Sequence, residues 1–185
     1  MKKLARLLCA DCGNAAVEMA LVTPLLLIIM CSAIELGNYF MDEHTLVKAV
    51  RDGARYAARQ NFTNYASCSN ADLPTPGTAG TPNANTKLIV QKGTLDSTAP
   101  DLLPNWSGAT FSAQMTCASA AGGQSMLGIY RSRMSSNCNG AAANGCAQVV
   151  TVKVTIPYRS VLGSLGFNGI GMTLYASSQS PVTGI

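Results

Sequence analysis

The sequence predicts an α+β chain in which one long N-terminal helix, its inner half of membrane-spanning length, packs on a small antiparallel β-sheet. Three observations predict it. Residues 14–34 hold a single charged side chain, Glu18, and the sixteen residues between Glu18 and Glu35 are all uncharged. A helical pattern continues beyond this run, with no proline between Pro24 and Pro74. Alternation of apolar and polar residues then appears at 110–117, 148–156 and 172–177, the period-2 signature of strands with one buried and one wet face.

The apolar run comes first. About 20 mostly apolar residues at ~1.5 Å each cross a bilayer, and residues 14–36 supply that length. Lys2, Lys3 and Arg6 precede it, and basic residues ahead of a span stay in the cytoplasm. The residues beyond the span then face the periplasm. Glu18 is the anomaly, because an ionisable group in hydrocarbon costs a few kcal/mol and marks function. Thr23-Pro24 interrupts the run; proline removes the bond to the carbonyl of Ala20, a loss that a neighbouring Thr helps a membrane helix tolerate.

Outside the span, Leu36, Phe40, Val47, Val50, Ala54 and Ala57 recur at steps of three, four or seven, which lays an apolar stripe along one helix face. Asp42, Glu43, Lys48, Arg51, Asp52, Arg55 and Arg59 fill much of the remainder. One helix from about Asn14 to about Gln60 would run ~70 Å. Gly37 and Gly53 weaken it by roughly 1 kcal/mol each relative to Ala.

A partner for Glu18 emerges if the chain is cut after Gly13. Asn14 then carries a new ammonium group, and Glu18 lies one helical turn along on the same face. A paired charge is tolerable in low dielectric where a lone one is not. A short basic leader, Gly, an acid five residues later and an apolar helix resemble type IV pilin precursors. The run GNAAVEMALVTPLLLIIMCSAIELGNYF, with VRDGARYAAR at 50–59, resembles more closely the TadE-like family of minor pilins and pseudopilins from tight-adherence pilus systems. That family shows G-x-A-A-V-E-F-A-L-V-x-P, a leucine-rich span, E-x-G and a helical R-x-G-A-R-x-A-A. Met19 replaces the usual Phe, a volume-conserving departure, and Ile156-Pro157-Tyr158 inverts a Tyr-Pro-like element. The resemblance covers about the first third of the chain.

It implies a type IV pilin-like fold with three parts: a cytoplasmic leader 1–13, a long helix 14–60 and a periplasmic domain 61–185. It also implies that a prepilin peptidase cuts between Gly13 and Asn14, that Glu18 forms the assembly charge pair, and that the partners are other pilins of the same pilus, an inner-membrane assembly platform and the lipid bilayer. The expected location is the inner membrane, single-pass, with the extracellular pilus as the second location the resemblance implies. An ordinary secretory signal cut after Ala33 competes, through Cys31-Ser32-Ala33. The polar-to-mixed residues ahead of its apolar core and the acid at its edge argue against it.

Seven cysteines divide by position. Cys9 and Cys12 lie in the leader, without the second pair a zinc site needs, and Cys31 lies in the span. Cys68, Cys117, Cys138 and Cys146 follow it, an even number in an oxidising compartment, and are disulfide candidates. Cys117 with Cys146 would staple the loop between two strands, leaving Cys68 with Cys138; a local Cys138–Cys146 bridge is the alternative.

Residues 65–86, with Pro74, Pro76 and Pro82, read as a connector, and 93–108 as a loop around Trp106. Between them KLIVQK, 87–92, fits helix or strand. Strands follow at 110–117, at 148–156 with Val150, Val152, Val154 and Ile156 on one face and Val149, Thr151, Lys153 and Thr155 on the other, and at 172–177. Residues 118–147 read as loop, and Gly163, Gly166, Gly169 and Gly171 as turn residues whose spacing fits no phosphate-binding loop. Asn61-Phe62-Thr63 and Asn105-Trp106-Ser107 match a glycosylation pattern that arises often by chance.

Little chemistry can be assembled. The one histidine, His44, sits beside Asp42 and Glu43 without a ligand cluster and reads as a solvated surface residue. No nucleophile–base set and no carboxylate pair stands out, so neither an enzyme nor a cofactor is expected. The net charge is +4, of which the leader's Lys2, Lys3, Arg6 and Asp11 account for +2; the remainder offers no footprint for nucleic acid. The expected function is that of a minor pilin or pseudopilin. The alternative is an uncleaved, anchored or secreted surface binding or adhesive domain.

Overall fold

The computed structural model describes residues 10–65, 73, 81–119, 146–165 and 171–184, with backbone alone at 10–14, 62, 63, 118, 119, 146, 164 and 165. The elements in order are helix α1 (Ala10–Ala58), a 3-10 turn at Phe62–Tyr65, helix α2 (Pro82–Lys92), a 3-10 turn at Trp106–Gly108, strands β1 (Thr110–Ser119) and β2 (Cys146–Pro157), a 3-10 turn at Leu162–Leu165, and strand β3 (Thr173–Pro181). The fold is α+β, as its alternation and helical run dictate. Two compact units divide it. One holds α1 up to Phe40 with the turn from Ser160; the other holds the chain from Met41 to Arg159 with the C-terminal strand.

In the second unit the three strands form one antiparallel sheet in the order β1-β2-β3. Ala113 opposes Val152 and Met115 opposes Val150, while Val154 opposes Ala176 and Ile156 opposes Leu174. All eight are buried, so the alternation read from the sequence sets the register: a one-residue slip would move this whole set to the wet face. Thr151, expected on the wet face, is buried as well. Lys153 and Tyr175 keep the other side exposed.

The outer part of α1 supplies the cover, and its buried stripe matches the expected one at Val50, Ala54 and Ala57 but not ahead of them. Leu46, Ala49, Val50, Gly53, Ala54, Ala57 and Ala58 are buried, whereas Leu36, Phe40 and Val47 are exposed. Leu36 and Phe40 belong to the other compact unit, and within the sheet-bearing unit Leu46 is buried in place of Val47. His44 is exposed, as expected.

The helix ends where its last carbonyls find other donors. The Tyr65 hydroxyl donates to the Ala57 carbonyl, and the amides of Thr183 and Gly184 donate to the Ala58 carbonyl at 2.9 and 3.3 Å. These bonds satisfy groups that a helix C-terminus leaves open. Burial pushes the Tyr65 phenol pKa up. The Gln148 amide donates to the Tyr65 carbonyl, and Val182 N–H donates to the Gln148 carbonyl at 2.8 Å, which ties the helix end to β2 and the C-terminus.

KLIVQK is helical, and its helix begins earlier than the connector reading allowed. Thr81 caps α2, accepting from the Ala84 amide at 3.4 Å, with Pro82 in the first turn. Proline is tolerated there because that amide needs no partner. At the other end Gly93, at φ 73°, closes the helix by donating to the Ile89 carbonyl. Residues 87–92 alone are too short to separate helix from strand; the Thr-Pro pair five residues upstream was the overlooked signal.

α1 and α2 touch at Gly53. A Cβ built there would overlap Val90 Cγ2, and Val90 is itself buried. Val is stiff at χ1 in a helix, so it cannot swing away at little cost. Gly53→Val should therefore lose ~1–3 kcal/mol to overpacking against a propensity gain below about 1 kcal/mol. Near-UV circular dichroism of the full chain in detergent should show its Tm lower by about 2–6 °C; an unchanged Tm would place the two helices further apart.

Candidate functional site

The candidate site is the inner part of α1 and the turn that binds its outer end. From residue 15 to residue 30 every side chain is exposed, including Leu21 at 75% and Met19 at 66%. Water does not tolerate so large a contiguous apolar surface without a partner. The helix is long and apolar enough to cross a membrane.

The span handles its polar groups locally. Thr23 Oγ1 donates to the Met19 carbonyl at 2.6 Å and Ser32 Oγ to the Ile28 carbonyl at 2.7 Å. Back-bonding of this kind lets a hydroxyl face lipid with its proton satisfied. The Thr23 bond serves the Met19 carbonyl, not the Ala20 carbonyl that Pro24 deprives. Cys31 is a half-buried free thiol. Glu18 is left as the only acidic or basic side chain between residues 15 and 34, and it is exposed.

Helix α1 starts at Ala10, four residues before the expected Asn14. Nothing in ADCGN breaks a helix except Gly13, at roughly 1 kcal/mol. The peptide bond between Gly13 and Asn14 consequently lies inside the helix, and Glu18 follows one turn after Asn14 at a rise of about 6 Å.

At the outer end stands a residue whose role sequence reasoning missed. Glu35 Oε1 accepts from the Val161 amide at 3.2 Å and Oε2 from the Leu162 amide at 3.1 Å. Ser160 Oγ accepts from the Gly163 amide at 2.9 Å. Together they satisfy three successive N–H groups at the start of the Leu162–Leu165 turn, and the two to Glu35 are charge-assisted. No local signal could have revealed this, since the partners are 126 and 127 residues apart in sequence. Gly163, expected to serve a turn, lies in that 3-10 turn; Gly166 and Gly169 lie outside the described residues. Beyond the span, burial raises the Asp42 carboxyl above its usual range.

Of the disulfide candidates, Cys117 is half-buried on β1 opposite Gln148 and is disulfide-bonded. Cys146 opens β2 opposite Ser119, whereas Cys68 and Cys138 lie outside the described residues, as does most of the leader. Among the described residues no group of three or more His, Cys, Asp or Glu is placed to hold a metal ion.

No curated protein and no solved structure matches the chain. The family model described as TadE-like protein matches residues 13–55. That stretch opens at Gly13, contains Glu18, the exposed span and Glu35, and closes within the buried stripe; over these residues, under a quarter of its length, the chain is similar to TadE-like proteins.

Proposed function

We propose that the chain is a minor pilin or pseudopilin whose inner helix anchors it in the inner membrane until a prepilin peptidase cuts between Gly13 and Asn14. The observation that carries this reading is the sixteen-residue exposed stretch of α1 holding one acid, one turn beyond a family match that begins at the glycine. Freed from its leader, the helix would hand its apolar surface from lipid to neighbouring pilin helices, with Glu18 paired to the Asn14 ammonium of its own or an adjacent chain. The part is structural and not catalytic. Its partners would be the peptidase, other pilins and the inner-membrane assembly platform, with the domain beyond residue 60 in the periplasm.

In that compartment Cys68, Cys117, Cys138 and Cys146 would form two disulfides. Losing one typically costs a small secreted domain ~2–5 kcal/mol.

Intact mass and N-terminal sequencing of the mature protein test the reading. Cleavage after Gly13, with four cysteines protected from alkylation and Cys31 modified, is the expected result. A mature chain beginning after Ala33 would make the protein a secreted domain, and an uncut chain an anchored surface module; either sinks the pilin assignment.

A further inference from the structure

We propose that the turn at Ser160–Leu165 is a lipid-contacting element, seated in the outer interface of the bilayer that α1 crosses, with Val161 directed into the boundary between headgroups and acyl chains. The inference rests on the membrane-spanning reading of residues 14–36.

Its position follows from Glu35. This is the first charged residue after the uncharged stretch 19–34, so it marks where the span leaves hydrocarbon. Because both carboxylate oxygens bind the Val161 and Leu162 amides, the turn is held at that same level. The turn and the span belong to one compact unit.

Its chemistry also suits an interface better than water. A turn in bulk water can leave its first amides to solvent at a cost of only about 1 kcal/mol. Here three consecutive amides, at Val161, Leu162 and Gly163, are all given oxygen acceptors by Glu35 and Ser160. Full satisfaction of backbone donors is what a segment needs where water is scarce, since an unmet group there costs several kcal/mol. Val161 nevertheless leaves 48% of its surface uncovered. An exposed apolar side chain beside a satisfied backbone can sink among headgroups without stranding a polar group. Glu35 gains as well: its charge sits near low dielectric with two donors in place, not alone.

The test places a tryptophan at the turn. Full-length Val161→Trp is reconstituted in phosphatidylcholine–phosphatidylglycerol vesicles, with Ile28→Trp as a marker of the span and the wild-type chain, whose only tryptophan is the buried Trp106, as the blank. If the turn sits in the interface, the added fluorescence at 161 is blue-shifted, shielded from aqueous acrylamide, and quenched about twofold by lipid brominated near the headgroup. It is quenched less by lipid brominated deep in the acyl chain, where the residue-28 probe responds most. Adding Glu35→Gln, which removes the charge-assisted bonds, should restore acrylamide access at 161 while leaving the residue-28 probe unchanged.

A residue-161 probe that acrylamide quenches and brominated lipid does not, beside a normal residue-28 probe, overturns the proposal alone. A blue-shifted residue-161 probe indifferent to brominated lipid means that protein covers the turn, and likewise overturns it. Failure of the residue-28 probe to sense lipid would remove the membrane reading itself.

Discussion

Replacing Gly13 with leucine should leave almost all of the protein as full-length precursor in the membrane fraction. Two effects act in the same direction. Leucine puts bulk beside the carbonyl a peptidase must reach, and it stiffens a bond that lies inside α1, which begins at Ala10. A helical peptide bond must unwind before it can enter an extended cleavage site, and glycine makes that unwinding about 1 kcal/mol easier than alanine or leucine. The two effects separate with Gly13→Ala, which adds little bulk but nearly the full helix propensity. If unwinding limits the cut, Gly13→Ala should slow processing about fivefold, as 1.4 kcal/mol per tenfold requires. If bulk alone matters, it should be processed almost normally. Pulse-chase immunoblots of precursor and mature bands decide, and normal processing of Gly13→Leu would end the prepilin reading.

The second large effect is expected at Glu18. Glu18→Gln removes the charge, keeps the size and eases insertion of a single chain into lipid. The cut site is unchanged, so the mature protein should still appear. Assembly should not keep pace. An ammonium left without its carboxylate inside a helix bundle costs ~3–5 kcal/mol. Glutamine still offers one carbonyl to it, so a tenfold to hundredfold fall in the sheared pilus fraction, ~1.4–2.8 kcal/mol, is the expected range. A blot comparing precursor, mature membrane pool and sheared pili reads all three steps. Loss of cleavage itself would assign Glu18 to peptidase recognition; wild-type levels throughout would mean the acid serves neither step.

Which parts of this molecule could be read in advance follows from how local their causes are. The span is a matter of composition: sixteen uncharged residues announce themselves whatever surrounds them. The strands are nearly as plain, because Val150, Val152, Val154 and Ile156 alternate with Val149, Thr151, Lys153 and Thr155, and one face of a three-stranded sheet must be dry. Helix α2 was half legible. Its apolar residues fit either period, and the decision lay in Thr81 and Pro82, a cap and a first-turn proline hidden in a stretch whose composition spoke of loop.

By itself the sequence determined the α+β class, the span, the acid within it, the inward faces of the sheet and the family resemblance that residues 13–55 bear out. Each is written in neighbours within a few turns or one strand of each other. Only the tertiary structure decided which stripe of α1 is buried, since Leu46 and Val47 are equally apolar and the choice lies with what packs against them. Only it revealed that Gly53 is the point where α2 approaches and that Glu35 holds the backbone of residues 161 and 162. The reason is the same in both cases. A close approach or a hydrogen bond between segments 30 to 130 residues apart leaves no period or spacing in the chain, and it exists only once the fold has brought the two segments together.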